Sequence, residues 1–193
     1  MKLHTHFEFV DNYKGELKEK VLKYTHKDWD KYSYRQKTFD VHRATKTIPL
    51  IWNEMDKDNK RNTDINKLKL WPEADKYKKD LENLRDILLK KYGPGFISTA
   101  LLINLPSRSV IHPHVDNYDP YFAMVNRVHL SIVTDDEVLF YVGGEERHIK
   151  EGEIFEINNH NDLHWVRNNS KIDRIHLLID WLALDNDSKL SYS

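Results

Sequence analysis

The sequence predicts a mainly β protein, a sandwich or barrel of short strands with helices packed against its outside. Three observations carry this. From Ile97 onward, apolar runs of strand length follow one another: Ile97 to Leu105, Val110 to His114, Arg127 to Thr134, Val138 to Val142, Glu153 to Ile157 and Arg174 to Trp181. Turn-forming groups divide them, namely Pro106-Ser107, Thr134-Asp135-Asp136, Gly143-Gly144 and Glu151-Gly152. Many short strands at even spacing are how such sheets read. Before Gly95 the apolar residues recur mostly at helical spacing, which supplies the outer layer.

Taken in order, Asp11 reads as the cap of a helix running through Lys23, with Leu17, Val21 and Tyr24 near one face. A polar aromatic stretch follows from His26 to Tyr34, and Thr47 to Trp52 (TIPLIW) is a short apolar run expected to be a strand. Lys57 to Asn66, dense in Lys, Asp and Asn, reads as an exposed loop. Pro72 opens the clearest helix, since proline suits a first turn whose N–H groups have no partner. Tyr77, Leu81, Leu84 and Leu88 repeat along one face of that helix, and Gly93-Pro94-Gly95 ends it. With 193 residues and no internal break, one domain is expected over 1–193: a mostly helical support region in 1–95 and a barrel core with the site in 96–182.

The strands also carry a face pattern. Side chains alternate along a strand, so Arg127, His129 and Ser131 share one face and Val128, Leu130 and Ile132 the other. In the last run Arg174 and His176 oppose Ile175, Leu177, Ile179 and Trp181. A solvent-facing sheet would carry Lys, Glu and Thr there. Arg and His point instead to a polar interior that grips an anion or a metal, with the solvent-face reading as the alternative.

Composition narrows the function classes. Hydrophobic residues make up 39% and charged residues 32%, with a net charge of -1, which is ordinary for a soluble globular chain. The charges are mixed, so a nucleic-acid-binding face is not expected. There is no cysteine, which excludes disulfides, thiolate metal sites and cysteine nucleophiles. Met1 to His6 lacks the apolar core of a signal peptide, and no run approaches the roughly 20 apolar residues of a membrane span. A cytoplasmic protein with no membrane partner is expected.

The chemistry concentrates in histidines. In Val110 to Asp116, an extended chain sets His112, His114 and Asp116 on one side. A His-x-Asp pair chelates one metal ion from neighbouring same-face positions, here His114 with Asp116, and His112 competes for the role. His164, after a further strand, is the best third ligand. Two histidines and a carboxylate leave the remaining positions open, which suits non-haem Fe(II). His129 and His176 read as interior hydrogen-bonding groups, His148 and His160 as surface or loop residues. His4, His6, His26 and His42 show no partner pattern. Arg174 lies ten residues beyond His164 on a polar strand face. A buried guanidinium needs an anion, and it holds a carboxylate bidentately. A dicarboxylate such as 2-oxoglutarate fits, unless Asp173 or Asp180 serves as an internal partner. Of these, Asp173 should point to the opposite face. Tyr118, Tyr121, Phe122 and Trp165 suit a substrate lid or ordinary packing equally well.

Six segments in this order resemble the aspartyl/asparaginyl beta-hydroxylase family of Fe(II)/2-oxoglutarate oxygenases. They are Ile111-His112-Pro113-His114, Arg127-Val128-His129-Leu130, Val142-Gly143-Gly144, Glu151-Gly152-Glu153, His164-Trp165-Val166-Arg167-Asn168 and Arg174 through Asp180. The resemblance spans Ile97 to Trp181. It implies a double-stranded β-helix of the jelly-roll, cupin-like kind, with Fe(II), 2-oxoglutarate and O2 as cofactor and co-substrates. It implies iron ligands at His114 and His164, completed by Asp116 as in members that keep the carboxylate. Arg174 would hold the distal carboxylate of 2-oxoglutarate, with Arg127 and His129 beside the co-substrate. Residues 117–126, next to the iron, would shape the substrate pocket. The implied reaction is hydroxylation of an amino acid or of a peptidyl Asp or Asn side chain. A prolyl hydroxylase with the same cofactors, acting on free or peptidyl proline, is the second reading. A cupin-like metal-binding protein without 2-oxoglutarate is the third. The intact His114, Asp116, His164 set speaks against a non-catalytic barrel.

Overall fold

The computed structural model describes residues 5–52, 63–117 and 119–184. His4, Tyr118 and positions 57–62 of the loop expected at Lys57 to Asn66 lie outside the described residues. Two antiparallel sheets face each other in a double-stranded β-helix. The larger has six strands in the order β1 (Phe7–Asn12), β8 (Glu153–Ile157), β5 (Val125–Val133), β10 (Arg174–Ala183), β3 (Gly95–Leu105) and β2 (Lys46–Trp52). The smaller has four in the order β4 (Ser109–His114), β9 (His164–Asn168), β6 (Val138–Val142) and β7 (Glu145–Arg147).

The alternation read from the sequence explains the layers. Ile175, Leu177, Ile179 and Trp181 of β10 join Val128, Leu130 and Ile132 of β5 in a core on the outer face of the large sheet. The short helix α1 (Leu17–Val21) closes that core with Leu17 and Val21, and the long helix with Tyr77, Leu84 and Leu88. A second core fills the space between the sheets, from Phe7, Ile111, Phe140, Phe155 and Val166. The strands of the large sheet are therefore covered on both faces, which is why they read as nearly continuous apolar runs.

Three expectations change. Asp11 caps no helix: it lies in β1 opposite Ile154 of β8, and the helix spans only Leu17–Val21. An uncovered β8 would leave a row of backbone groups unpaired, and β1 supplies their partners. The first 95 residues are accordingly more than helical support, because β1 and β2 form both edges of the large sheet. The helix opened by Pro72 begins as a tight 3-10 turn over Pro72–Tyr77 and becomes α-helical at Lys78–Tyr92. It stops at Gly93, whose φ of 81° favours a residue without a Cβ.

Candidate active site

The site begins with an irregularity in an edge strand. Ile111 pairs with Val166 and His114 with His164, so β4 advances three residues while β9 advances two. This is a β-bulge, at the one proline of the strand, where a ladder N–H is not needed. Ile111 packs in the core between the sheets. Without the bulge, strict alternation would turn His114 outward. With it, His114 faces inward across from His164, ring centroids 4.2 Å apart. His112 is left exposed. The expectation that His112, His114 and Asp116 share a side fails at His112 for this reason, and of the two histidines only His114 is brought to His164 and Asp116.

One ligand atom each from His114, Asp116 and His164 lies within 4.8 Å of the others. Their protonation suits a cation. Nδ1 of His114 is 2.7 Å from the carbonyl of His112, and Nδ1 of His164 is 3.0 Å from that of Asp162. A carbonyl only accepts, so each Nδ1 carries the proton and each Nε2 presents a lone pair. Burial drives the His164 pKa down to about 4, against the opposing pull of Asp116, so the ring is neutral at physiological pH. For Asp116, burial alone would raise the pKa. The Arg127 guanidinium, with His164, His114 and the Asn159 hydrogen bond, outweighs it and holds the carboxyl well below the usual range.

Arg174 lies deeper in the same hollow and is 2% exposed. Its Nη1 has no hydrogen-bond partner among the described residues, and its charge rests against the Phe140 ring, 4.5 Å from the centroid. Burial alone lowers its pKa to about 9. Neither acid considered from the sequence reaches it: Asp173 accepts from Asn104 and the Ser107 amide, and Asp180 from Arg127. His129 and His176, which line the same hollow, also carry buried ring nitrogens without partners among the described residues. The His129 and His176 rings are stacked, with centroids 5.2 Å apart, and burial keeps both neutral. So dense a set of unsatisfied donors and acceptors is rare in a native interior and marks a place built for a polar ligand. The hollow is narrow and partly open to solvent.

Arg127 lines the same hollow, tied to two acids. Its Nε and Nη2 donate to Asp180 at 2.7 and 2.9 Å, and its Nη1 donates to Asp116 at 2.6 Å. Asp180 and Asn159, on either side of this chain of bonds, were not singled out as site residues. Asp180 had a signal, since it continues the inward alternation of Arg174 and His176. Asn159 had none, because a loop after β8 delivers it. His42 and Arg35 also line the hollow. Arg35 is the one buried residue of helix α3 (Tyr34–Thr38), after the short helix α2 (His26–Trp29), and its Nη2 lies 2.8 Å from Nε2 of His42. Of the lid candidates, Tyr121 and Phe122 are buried in the short helix α5 (Tyr121–Met124). Tyr121 is tied by its hydroxyl to Asp180, Ser98 and Thr99. Trp165 stacks on Tyr141 at 3.6 Å and borders the hollow.

Comparison with known proteins agrees with this geometry. A family profile described as aspartyl/asparaginyl beta-hydroxylase matches residues 8–183, well beyond the segments that carried the resemblance in sequence. The chain belongs to this family. No curated protein matches it in sequence. In structure this beta-hydroxylase family member is similar to the viral collagen prolyl hydroxylase of Paramecium Bursaria Chlorella virus-1. The two share 11% identity and a TM-score of 0.59, over 94% of this chain and 98% of that one. It is similar also to a prolyl hydroxylase of Trichoplax adhaerens, at 13% identity and a TM-score of 0.56, over 98% and 89%. A 2OG-Fe(II) oxygenase family oxidoreductase of Burkholderia pseudomallei has 15% identity and a TM-score of 0.53, over 72% and 67%. Likenesses this distant show the jelly-roll fold. Family membership makes the chain a dioxygenase, with Fe(II), 2-oxoglutarate and O2 as its cofactor set. The residues present fit that set: an acid and two imidazoles for the metal, and a buried arginine without an acid partner among the described residues for the carboxylate. Among the described residues no helix is long and apolar enough to cross a membrane.

Proposed function

We propose that this chain hydroxylates an amino acid or a peptidyl Asp or Asn side chain, with iron held by His114, Asp116 and His164 and 2-oxoglutarate held at its distal carboxylate by Arg174. The observation that carries the reading is the uncompensated charge of Arg174 in the hollow that contains the metal-binding trio. A cupin-like metal protein without 2-oxoglutarate has no use for such a group, whose burial is costly until an anion arrives. When bound, the iron centre with 2-oxoglutarate and O2 supplies the oxidant for an unactivated C–H bond, and the co-substrate leaves as succinate and CO2.

The chain's own residues bind, orient and exclude water. His114 and His164 offer Nε2 atoms, and Asp116 offers a negative oxygen. Arg174 fixes one end of the co-substrate, which sets the direction of the other. His129 and His176 offer ring nitrogens along its path. Phe140, Ile103, Ile111 and Leu178 wall the hollow against solvent. Tyr121 and Phe122 pack against Asp180 and Arg127 at the back of the site. Two of the structurally similar proteins are prolyl hydroxylases, which keeps free or peptidyl proline as the second reading.

The test is anaerobic. Protein mixed with Fe(II) and 2-oxoglutarate should develop the visible charge-transfer band of a chelated 2-oxo acid, and His164→Ala should lose it. A wild type that binds metal without the band would return the lead to the cupin-like reading. A panel of Asp, Asn and Pro, free and within short peptides, then assigns the substrate by succinate release and by product mass.

A further inference from the structure

Asp116 has two carboxylate oxygens, and the fold leaves one of them available. Its Oδ2 accepts from Nη1 of Arg127 at 2.6 Å and from Nδ2 of Asn159 at 2.9 Å. Its Oδ1 lies 3.7 Å from Nε2 of His114 and accepts no hydrogen bond among the described residues, whereas Nε2 of His164 is 3.9 Å from the occupied Oδ2. The backbone holds the residue as well: its N–H donates to the Asn159 carbonyl at 2.9 Å, and its carbonyl lies 3.1 Å from Nδ1 of His160. The carboxylate is therefore gripped from one side by the loop after β8 and from the other by Arg127.

Arg127 cannot swing away. Asp180, fully buried, engages its guanidinium in a parallel fork, the most directional of the charged pairings. The two residues are cross-strand partners in register on β5 and β10, so the backbone itself sets the fork. The Phe122 ring lies 4.6 Å from the guanidinium carbon, and Tyr121 donates to the same Asp180 oxygen that receives Nη2. With the fork fixed, Nη1 has one direction left, toward Asp116. The pair also sets the charge, because one guanidinium between two carboxylates leaves a net negative charge.

A carboxylate binds a divalent cation through one oxygen or through both. Binding through both would take Oδ2 from two buried donors, one of them charged, and an orphaned buried donor is expensive. Building on the Fe(II)/2-oxoglutarate reading, we propose that Arg127 and Asn159 are positioning residues that restrict Asp116 to ligation through Oδ1 alone. They thereby keep open the coordination place that its second oxygen would occupy, for the 2-oxo acid end of the co-substrate.

The experiment separates two affinities. Full-length wild type, Asn159→Ala and Arg127→Lys are titrated anaerobically with Mn(II) by calorimetry in the absence of 2-oxoglutarate. The Fe(II)-loaded proteins are then titrated with 2-oxoglutarate through the charge-transfer band. Both variants should keep or raise their metal affinity, where loss of an ordinary outer partner of a metal ligand lowers it, and need about tenfold more 2-oxoglutarate for half-saturation, the worth of one hydrogen bond to a charged group. Asn159→Ala carries the test alone should Arg127→Lys not fold, since it leaves the Arg127–Asp180 fork intact. Equal loss of metal and 2-oxoglutarate affinity would mean a structural role only, and unchanged values would mean none; either result overturns the proposal while the wild-type band leaves the cofactor reading standing. A wild type without the band overturns both.

Discussion

Arg174 shows how far a single residue can be read from sequence. Its place on a strand face shared with His176, ten residues after a candidate ligand, was visible without coordinates, and so was its need for an anion. That neither Asp173 nor Asp180 meets it was not visible, because only the packed sheets decide which acid goes to which arginine. The result was an exchange: the acid on the inward face went to Arg127, and Arg174 was left without either acid. A residue that costs the folded protein energy in order to wait for its partner makes a distinctive prediction. Arg174→Met should make the ligand-free protein more stable, by roughly 1–4 kcal/mol, as when other buried charges give way to apolar side chains of similar size. The same change should abolish stabilisation by 2-oxoglutarate in a thermal shift while sparing metal affinity. Destabilisation of the ligand-free variant would assign Arg174 a partner within the fold.

At the scale of elements, periodicity found the strands after Gly95 to within two residues or so and failed where elements are short. Strand β7 spans only Glu145–Arg147, and β9 at His164–Asn168 was read for its histidine rather than for its alternation. Strand β1 was misread because Leu17 and Val21 drew the helix back over it, although Phe7-Glu8-Phe9 already alternates. The bulge in β4 had no signal beyond Pro113, and with it the inward turn of His114 was hidden. These errors share a cause: an edge strand or a bulge is set by what a neighbouring strand lacks, and that neighbour is far away in sequence. The β1 assignment can be tested. Phe7 is 7% exposed in the core between the sheets, whereas Phe9 is 46% exposed against Phe155 at the edge. In denaturant titrations Phe7→Ala should cost about 3–5 kcal/mol and Phe9→Ala no more than about half of that. Equal effects would place both side chains on one environment and remove the inward role of β1.

The whole molecule carries an unusual load of buried, neutral imidazole. His42, His129, His164 and His176 all have pKa values pushed down, in each case first by burial. None of this appears in a net charge of -1, which says nothing of the interior. The consequence for stability follows from proton binding. For His164 the unfolded chain takes up a proton near pH 6.5 and the folded protein only near pH 4. Between those values the unfolded state holds more protons, so the contribution is complete above pH 6.5 and is lost as the pH falls toward 4. His164 alone is worth about 3 kcal/mol over that window, and the three deeper histidines extend the loss to lower pH. The metal-free protein should therefore unfold progressively more easily in urea as pH drops from 7 to 4. Added Mn(II) should raise the midpoint at pH 7 and lose that effect with acid, because metal and proton compete for the same Nε2 atoms. A midpoint flat across this range would mean that the histidines bind protons equally in the folded and unfolded chain, and the fold would then do nothing to keep its imidazoles neutral for a cation.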